Sequence, residues 1–241
     1  MPSTATVPLL PSVSDRLAAS FAQDFAVWTQ QVAGRTLGGY CSKATGPDQF
    51  QICWLHGNGF NSLAYAPILS ALMRSDDGGP GFSVFTTDIP GHGLSQPPVR
   101  RWPHWRSLAN TVDQAMRLQF ADQPATRRVG IGHSLGAILT LLQAHQNPDR
   151  FRCTLKSLKM LGLWANTPLS KAARKRRSQW DSRELMQQQL AEKRFYRRWH
   201  PEALNGYVDG GYRPTPSGVD LSCTPEWEAR IFASYPTRLM Q

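Results

Sequence analysis

The chain has few cysteines and no long apolar run, and both scarcities exclude classes of protein. Its four cysteines, Cys41, Cys53, Cys153 and Cys223, show no C-x-x-C or Cys/His spacing, so the sequence predicts neither a metal site nor a redox pair. No segment approaches the ~18 apolar residues that a bilayer-spanning helix needs. The first residues lack the basic start and apolar stretch of a secretion signal. We therefore expect a reduced, cytoplasmic compartment, no integral membrane segment, no metal and no cofactor.

Acidic residues are also scarce. The 241 residues include 17 Asp and Glu against 27 Lys and Arg, which gives a net charge of +10. Residues 171–200 hold ten basic and three acidic side chains, a balance of +7. This segment predicts either attraction of an anionic substrate, an acidic partner or a membrane surface, or simply a solvated face. No nucleic-acid partner is expected, because aromatic platforms and a recognised nucleic-acid fold are not evident.

The pattern Gly-His-Ser-Leu-Gly stands where a short apolar run, 129–131, gives way to a helical pattern over 137–144. Ser134 lies between Gly132 and Gly136, the spacing of a nucleophile elbow, in which flanking side chains would crowd the neighbouring strand and helix. The turn would lift the serine oxygen above the sheet edge. The amide of Leu135, at the helix N-terminus, would point toward an oxyanion formed there.

Two further turns follow predicted strands, at 51–55 and 82–87, and all three turns come in a characteristic order. With an HG turn after the third strand, a D-x-P-G-H-G-x-S turn after the fourth and the elbow after the fifth, the chain resembles the α/β-hydrolase family. The resemblance is close over roughly 38–164 and looser elsewhere. The two turns are His56-Gly57-Asn58-Gly59-Phe60 and Asp88-Ile89-Pro90-Gly91-His92-Gly93-Leu94-Ser95.

The resemblance implies an α/β fold with a mostly parallel sheet, helices on both faces and a helical cap after strand six. It also implies an esterase- or lipase-like serine hydrolase that acts on an ester or similar acyl bond of a small molecule. Ser134 would be the nucleophile, the amides of Asn58 and Leu135 would form the oxyanion hole, and Gly132 and Gly136 would shape the elbow. A serine nucleophile disfavours the epoxide hydrolase and dehalogenase branches. The turn around His92 is expected to be structural.

Local patterns predict the remaining elements, and alternating strands and helices favour a parallel sheet. Strands 37–41 and 49–55 are expected to be antiparallel, and 205–218 to be a loop. We expect a core over 1–166 that begins with a flexible arm, 1–11, a helical cap over 167–235, and the start of a shortened core segment at 236–241. The other predicted elements are helices at 14–25, 65–73, 105–120 and 225–233, and a sixth strand at 158–164.

The catalytic acid and histidine are not assignable. In the family they follow strands seven and eight, but after Ser134 this chain has only His145, in the elbow helix, and His200, in the expected cap. The sequence therefore predicts that the last two strands are missing, which would leave an open sheet edge for self-association. The alternatives are a truncated hydrolase, a catalytically impaired or non-enzymatic binding or interaction protein, and a base formed by His200 with Asp209 or Asp220 behind it.

Overall fold

A computed structural model describes residues 19–42, 50–73, 82–97, 104–119, 127–148, 151, 153–157 and 168–234. Its main sheet has six strands in the order β1-β2-β4-β3-β5-β6. The first two are antiparallel to their neighbours, whereas β4, β3, β5 and β6 run parallel. The strands are β1 (Phe25–Val32), β2 (Arg35–Ser42), β3 (Phe50–Leu55), β4 (Phe82–Thr87), β5 (Arg127–His133) and β6 (Cys153–Ser157).

Helices pack around this sheet and alternate with its parallel strands. A 3₁₀ turn at Ser62–Tyr65 leads directly into α2, and the turn at Ser134 leads directly into α4. The amphipathic α3 buries Leu108, Val112 and Met116, as the sequence predicts. The helices of this part are α1 (Ala19–Asp24), α2 (Ala66–Met73), α3 (Trp105–Gln119) and α4 (Leu135–Gln146).

Residues 168–234, called here the C-terminal segment, form helices together with a small antiparallel sheet of order β7-β9-β8. The expected cap was purely helical, so the small sheet is a correction. Its elements are α5 (Pro168–Arg174), β7 (Gln179–Trp180), α6 (Arg183–Glu192), α7 (Pro201–Gly211), β8 (Tyr212–Thr215), β9 (Gly218–Leu221) and α8 (Pro225–Ala233).

The register of the parallel strands brings the three motif turns to one edge of the sheet. Leu55, the last residue of β3, lies opposite Thr87 on one side and Gly132 on the other. The turns that begin at His56 and Asp88 and the elbow at Ser134 therefore start side by side. Such carboxyl ends are where open parallel sheets bind ligands.

The hydrophobic core does not stop at the main sheet. One buried cluster joins Leu55 of β3 and Leu139 of α4 to Trp227 and Ile231 of α8. The indole Nε1 of Trp105, in α3, also donates to the hydroxyl of Ser234 at 3.1 Å. The last helix of the C-terminal segment is thus packed into the core that carries the motif turns.

Several sequence expectations are confirmed and others are wrong. The mostly parallel sheet, strand β4 and helix α8 are as predicted. Phe25 begins β1 instead of ending the helix predicted at 14–25, of which the structure describes only Ala19–Asp24. The strands at 37–41 and 49–55 do run in opposite directions, but β4 lies between them. The loop predicted at 205–218 is wrong, because α7 and β8 occupy most of it.

The sixth strand observed is Cys153–Ser157, and the strand predicted at 158–164 lies outside the described residues, as do the arm 1–11 and the segment 236–241. Phe195 packs against neighbouring aromatic rings of the C-terminal segment, but 61% of it is exposed. None of the helices in the described ranges has the length and apolar character needed to cross a membrane.

Candidate active site

Ser134 occupies a strained turn between β5 and α4. Its backbone angles, φ 52° and ψ −115°, lie in a region that residues with a Cβ rarely adopt. A Cβ on Gly132 would lie 2.3 Å from the Ala137 nitrogen, and a Cβ on Gly136 would lie 2.2 Å from the Leu55 carbonyl oxygen. Both glycines are therefore required by the close approach of strand and helix, which is the reason that the sequence pattern suggested.

The serine side chain is half-buried. Within the described part of the chain, no group forms a hydrogen bond with its Oγ. A polar atom in this position is open to a ligand or to a catalytic partner.

Asn58 and Leu135 lie on the two elements that meet at the elbow. The Asn58 side chain is buried, and its Nδ2 donates to the carbonyl of Glu228 in α8 at 3.0 Å. Among the described residues, none accepts from the Asn58 backbone N–H. Leu135 is the first residue of α4, where backbone N–H groups have no partner within the helix. The Gly136 Cβ position lies 2.5 Å from the His56 carbonyl, so the start of α4 touches the turn that carries Asn58.

The turn after β4 holds the turn after β3 in place. The buried carboxylate of Asp88 accepts from the Ser62 amide at 2.7 Å and from the Leu94 amide at 2.9 Å. His92 Nε2 accepts from the Gly59 amide at 3.1 Å. These contacts are those of a bracing loop, which is the structural role predicted for it.

His56 and His92 are fully buried and neutral. His56 donates from Nδ1 to the Gly57 carbonyl at 2.7 Å and accepts at Nε2 from the Ile89 amide at 2.9 Å, so both ring nitrogens are used. Burial lowers the pKa of His56, although Asp88 opposes the shift. Burial and the nearby His56 ring hold the pKa of His92 well below its ordinary value. Neither ring has a nitrogen left for Ser134.

His133 precedes the serine but faces a different partner. The Tyr65 hydroxyl accepts from the Gly57 amide at 3.2 Å and shares a hydrogen bond of 2.7 Å with His133 Nδ1. Partial burial lowers the pKa of His133, and burial raises that of Tyr65. The ring of Phe60 packs edge-on against His133, with centroids 5.7 Å apart. These contacts help to fix the position of the turn from Gly57 to Phe60.

The other three histidines are exposed. His104 precedes α3, His145 lies in the last turn of α4, and His200 is the N-cap of α7. The carboxylate that could have oriented His200, that of Asp209, pairs with Arg183 at 2.7 Å. All six histidines of the chain are described, and none forms a hydrogen bond with Ser134 among the residues so placed.

Sequence reasoning missed a partly buried ion pair next to the turn that carries Asn58 and Gly59. Arg176, after α5, binds the carboxylate of Glu228 in α8 and donates to the Tyr207 hydroxyl at 3.1 Å. Burial alone would lower the pKa of Arg176, but Tyr207 and Glu228 raise it above its ordinary value. A Cβ on Gly59 would lie 2.5 Å from Glu228 Oε1. No local pattern signals a pair whose members are 52 residues apart.

The described residues hold no group of three or more His, Cys, Asp or Glu side chains that could bind a metal ion.

Comparisons with known proteins identify the family of the chain. Residues 54–238 match the profile of the alpha/beta hydrolase family, so the chain belongs to that family. Membership supports a hydrolase. No curated protein sequence matches the chain significantly.

Solved structures of low identity share the fold. A peroxisomal alpha-beta-hydrolase from Saccharomyces cerevisiae is 16% identical, with a TM-score of 0.67 over 87% of this chain and 68% of that one. E-2-(acetamidomethylene)succinate hydrolase is 22% identical, with a TM-score of 0.67 over 87% and 73%. The thioesterase domain from the curacin biosynthetic pathway is 16% identical, with a TM-score of 0.60 over 86% and 74%. At these identities the likeness is one of fold.

Proposed function

We propose that this chain is an esterase- or lipase-like serine hydrolase that cleaves an ester or similar acyl bond of a small molecule, with Ser134 as nucleophile. The observation that carries the proposal is the strained backbone of Ser134, enforced by Gly132 and Gly136 at the carboxyl edge of the sheet. Strain of this kind costs about 1–3 kcal/mol and persists where the surroundings over-determine it, typically at functional sites.

In this mechanism Ser134 Oγ attacks the substrate carbonyl carbon while its proton passes to a base. The carbonyl oxygen becomes an oxyanion, which the amides of Asn58 and Leu135 stabilise. One such donor contributes roughly 3–4 kcal/mol to the transition state. Collapse of the intermediate expels the alcohol or thiol and leaves an acyl-serine, which water then hydrolyses. The bracing contacts of Asp88 and His92 keep the Asn58 turn rigid during these steps.

A second candidate is a catalytically impaired or non-enzymatic binding protein on a hydrolase core. The positions of the histidines favour it, because none of the six forms a hydrogen bond with Ser134 among the described residues. A serine without a base is a poor nucleophile. Even so, an oxyanion hole and binding alone retain a roughly 10³-fold acceleration over water.

The wider expectations belong to the same proposal. Residues 167–235 would act as a cap on a core over 1–166: α7 packs on the 3₁₀ turn, where a Cβ on Gly206 would lie 2.1 Å from the Leu63 carbonyl oxygen. The protein would work in the cytoplasm on a small molecule, without a nucleic-acid partner, and could self-associate through β6, the last strand of the described sheet.

Labelling with a fluorophosphonate probe separates the two candidates. Rapid labelling that is lost in Ser134→Ala and kept in Ser107→Ala, an exposed serine of α3, would establish Ser134 as an activated nucleophile. His200→Ala and His133→Ala then identify any histidine that activates it. Absence of labelling in a protein that circular dichroism shows to be folded would contradict the serine hydrolase and favour the binding protein.

A further inference from the structure

In the connection between α6 and α7, one set of side chains packs inward and another set is exposed to solvent. Residues 193–199, called here the basic-aromatic turn, form consecutive tight turns, with hydrogen bonds from the Tyr196 amide to Lys193 and from the Trp199 amide to Tyr196 at 3.0 and 2.8 Å. Tyr196 and Trp199 are half-buried and pack on Tyr207 in the interior of the C-terminal segment. The outward set is Lys193, Arg194, Phe195, Arg197 and Arg198, all exposed.

Phe195 is the most exposed large apolar side chain among the described residues, at 61%. It is nevertheless held in place, because its ring packs edge-on against Tyr196 with centroids 4.9 Å apart and lies 5.7 Å from Trp199. The fold gains little from a phenylalanine presented to solvent in this way. Its position is better explained by a contact with something apolar outside the chain.

The four cations around Phe195 are free of acidic partners. Elsewhere in the C-terminal segment, three arginines are neutralised: Arg174 by Glu226, Arg176 by Glu228 and Arg183 by Asp209. Arg177 and Arg213 donate to uncharged groups instead. None of the four outward cations of the basic-aromatic turn forms an ion pair with a described residue, and the turn itself contains no acid. Part of the positive balance of residues 171–200 is therefore structural, and an unpaired part is concentrated around one exposed ring.

We propose that the basic-aromatic turn docks on an anionic lipid surface, with Phe195 entering the boundary between head groups and acyl chains and the four cations contacting lipid phosphates. Charge complementarity accounts for attraction to the surface. The exposed ring favours lipid over an acidic polypeptide, because a side chain without polar atoms gains most from an apolar boundary. Neither observation depends on the hydrolase activity proposed above.

The same turn is joined to the candidate site by stacked rings. Trp199 stacks on Phe60, with centroids 5.5 Å apart and ring planes 13° apart. Phe60 follows the turn that carries Asn58. A membrane surface bound at Phe195 would therefore lie beside the loop that forms the candidate oxyanion hole, although the docking proposal stands without any substrate.

Vesicle flotation with the purified full chain tests the proposal. Wild-type protein is expected to float with phosphatidylcholine vesicles that contain phosphatidylglycerol and not with phosphatidylcholine alone, and added salt should release it. Phe195→Ser should weaken binding about tenfold. Arg194→Gln with Arg197→Gln should weaken it about fivefold for each cation removed. The matched control is Lys171→Gln with Lys175→Gln, which removes the same charge from two exposed positions, one in α5 and one directly after it, and should bind like wild type.

Four results would overturn the proposal. The first is no flotation with anionic vesicles at low salt. The second is unchanged flotation of Phe195→Ser, which would make the contact purely electrostatic. The third is equal loss in the Lys171 and Lys175 control, which would spread the effect over the whole basic surface. The fourth is binding to polyglutamate and not to vesicles, which would make the partner an acidic polypeptide and not a membrane.

Discussion

At Ser134 the backbone and the proposed chemistry make opposite demands on one residue. A φ of 52° with a ψ of −115° disfavours any side chain with a Cβ, whereas nucleophilic attack needs the hydroxyl. We expect Ser134→Gly to have a free energy of unfolding about 1 kcal/mol higher than Ser134→Ala, because relief of strain exceeds the added entropy of an unfolded glycine. Urea unfolding followed by circular dichroism measures the difference, and both variants should lose probe labelling.

Ala33 provides the matched control for this prediction. It is the other non-glycine residue with positive φ in the described ranges, at 50°, and lies in the turn between β1 and β2. Ala33→Gly should raise stability by a similar amount and leave labelling intact. If Ser134→Gly proves less stable than Ser134→Ala, the elbow is not strained and the observation behind the proposed nucleophile fails.

His92 is the residue through which pH should act on stability. Its pKa in the folded protein lies well below its ordinary value because it is fully buried and faces His56. As pH falls below about 6.5, the unfolded chain binds a proton that the folded chain excludes, so stability is full above that pH and is lost below it. The loss should reach up to about 1.4 kcal/mol per pH unit for each such histidine.

His92→Gln should reduce this slope, since glutamine can still accept from the Gly59 amide but does not titrate. Urea unfolding at a series of pH values measures the slope for each variant. His200→Gln is the control, because His200 is exposed. A slope that is the same in wild type and His92→Gln would show that other groups govern acid unfolding.

At the scale of elements, two asparagines connect the turn after β3 to the C-terminal segment. Comparing their variants separates an effect on the position of this turn from an effect on the stability of the protein. Asn58 Nδ2 donates to Glu228 of α8 at 3.0 Å. Asn61 Nδ2 donates to Tyr207 of α7 at 2.9 Å, and its Oδ1 accepts from the Ala64 amide at 3.1 Å. Asn58→Ala loses one hydrogen bond and Asn61→Ala loses two, so we expect costs of about 1 and about 2 kcal/mol in the free energy of unfolding.

The rate of probe labelling should fall more in Asn58→Ala than in Asn61→Ala, which is the reverse of the order in stability loss. Asn58→Ala frees the backbone whose amide would stabilise the oxyanion, so its labelling rate should fall about tenfold or more, as a misaligned donor loses part of its contribution. Asn61→Ala, although less stable, should be labelled at close to the wild-type rate. Equal slowing in both variants would indicate general loosening of the turn in place of a positioning role for Asn58.

The elements that were predicted well are those whose local pattern agrees with their packing. Strand β4 and helix α8 fall at the predicted bounds, the latter between Thr224, which caps it, and Ala233. The helix α7 was missed because Gly206, Gly210 and Gly211 read as a loop. In the fold a Cβ on Gly206 would meet the Leu63 carbonyl, so glycine there serves close packing on the 3₁₀ turn, which no local pattern reveals.

For the candidate site, the elbow could be identified from a motif. Its glycines are required by contacts with residues a few positions away and with the adjoining strand. The contacts that support the elbow could not be predicted from the sequence. Asn58 and Glu228 are 170 residues apart in sequence, and Arg176 resembles every other arginine of a basic segment until its partner is seen. Interactions of this kind depend on tertiary packing, so the sequence indicated a candidate nucleophile and not the groups that hold its surroundings.

Across the whole molecule, the C-terminal segment is built into the core instead of lying on it. The fully buried Ile231 of α8 belongs to the cluster that contains Leu55 and Leu139. The fully buried Met186 of α6 belongs to a second cluster with Tyr207 and Val219, which packs on Phe60. Shared contacts of this extent predict one cooperative unfolding transition for the described ranges taken together.

Ile231→Ala in the first cluster and Met186→Ala in the second test this cooperativity. Each should cost about 2–5 kcal/mol, because each removes a fully buried side chain and leaves a cavity. If the segment and the core unfold together, both variants shift the same urea transition, and circular dichroism and tryptophan fluorescence give coincident midpoints. A separate early transition in Met186→Ala alone would mean that the part of the segment packed around Met186 unfolds independently of α8 and the core cluster of Ile231.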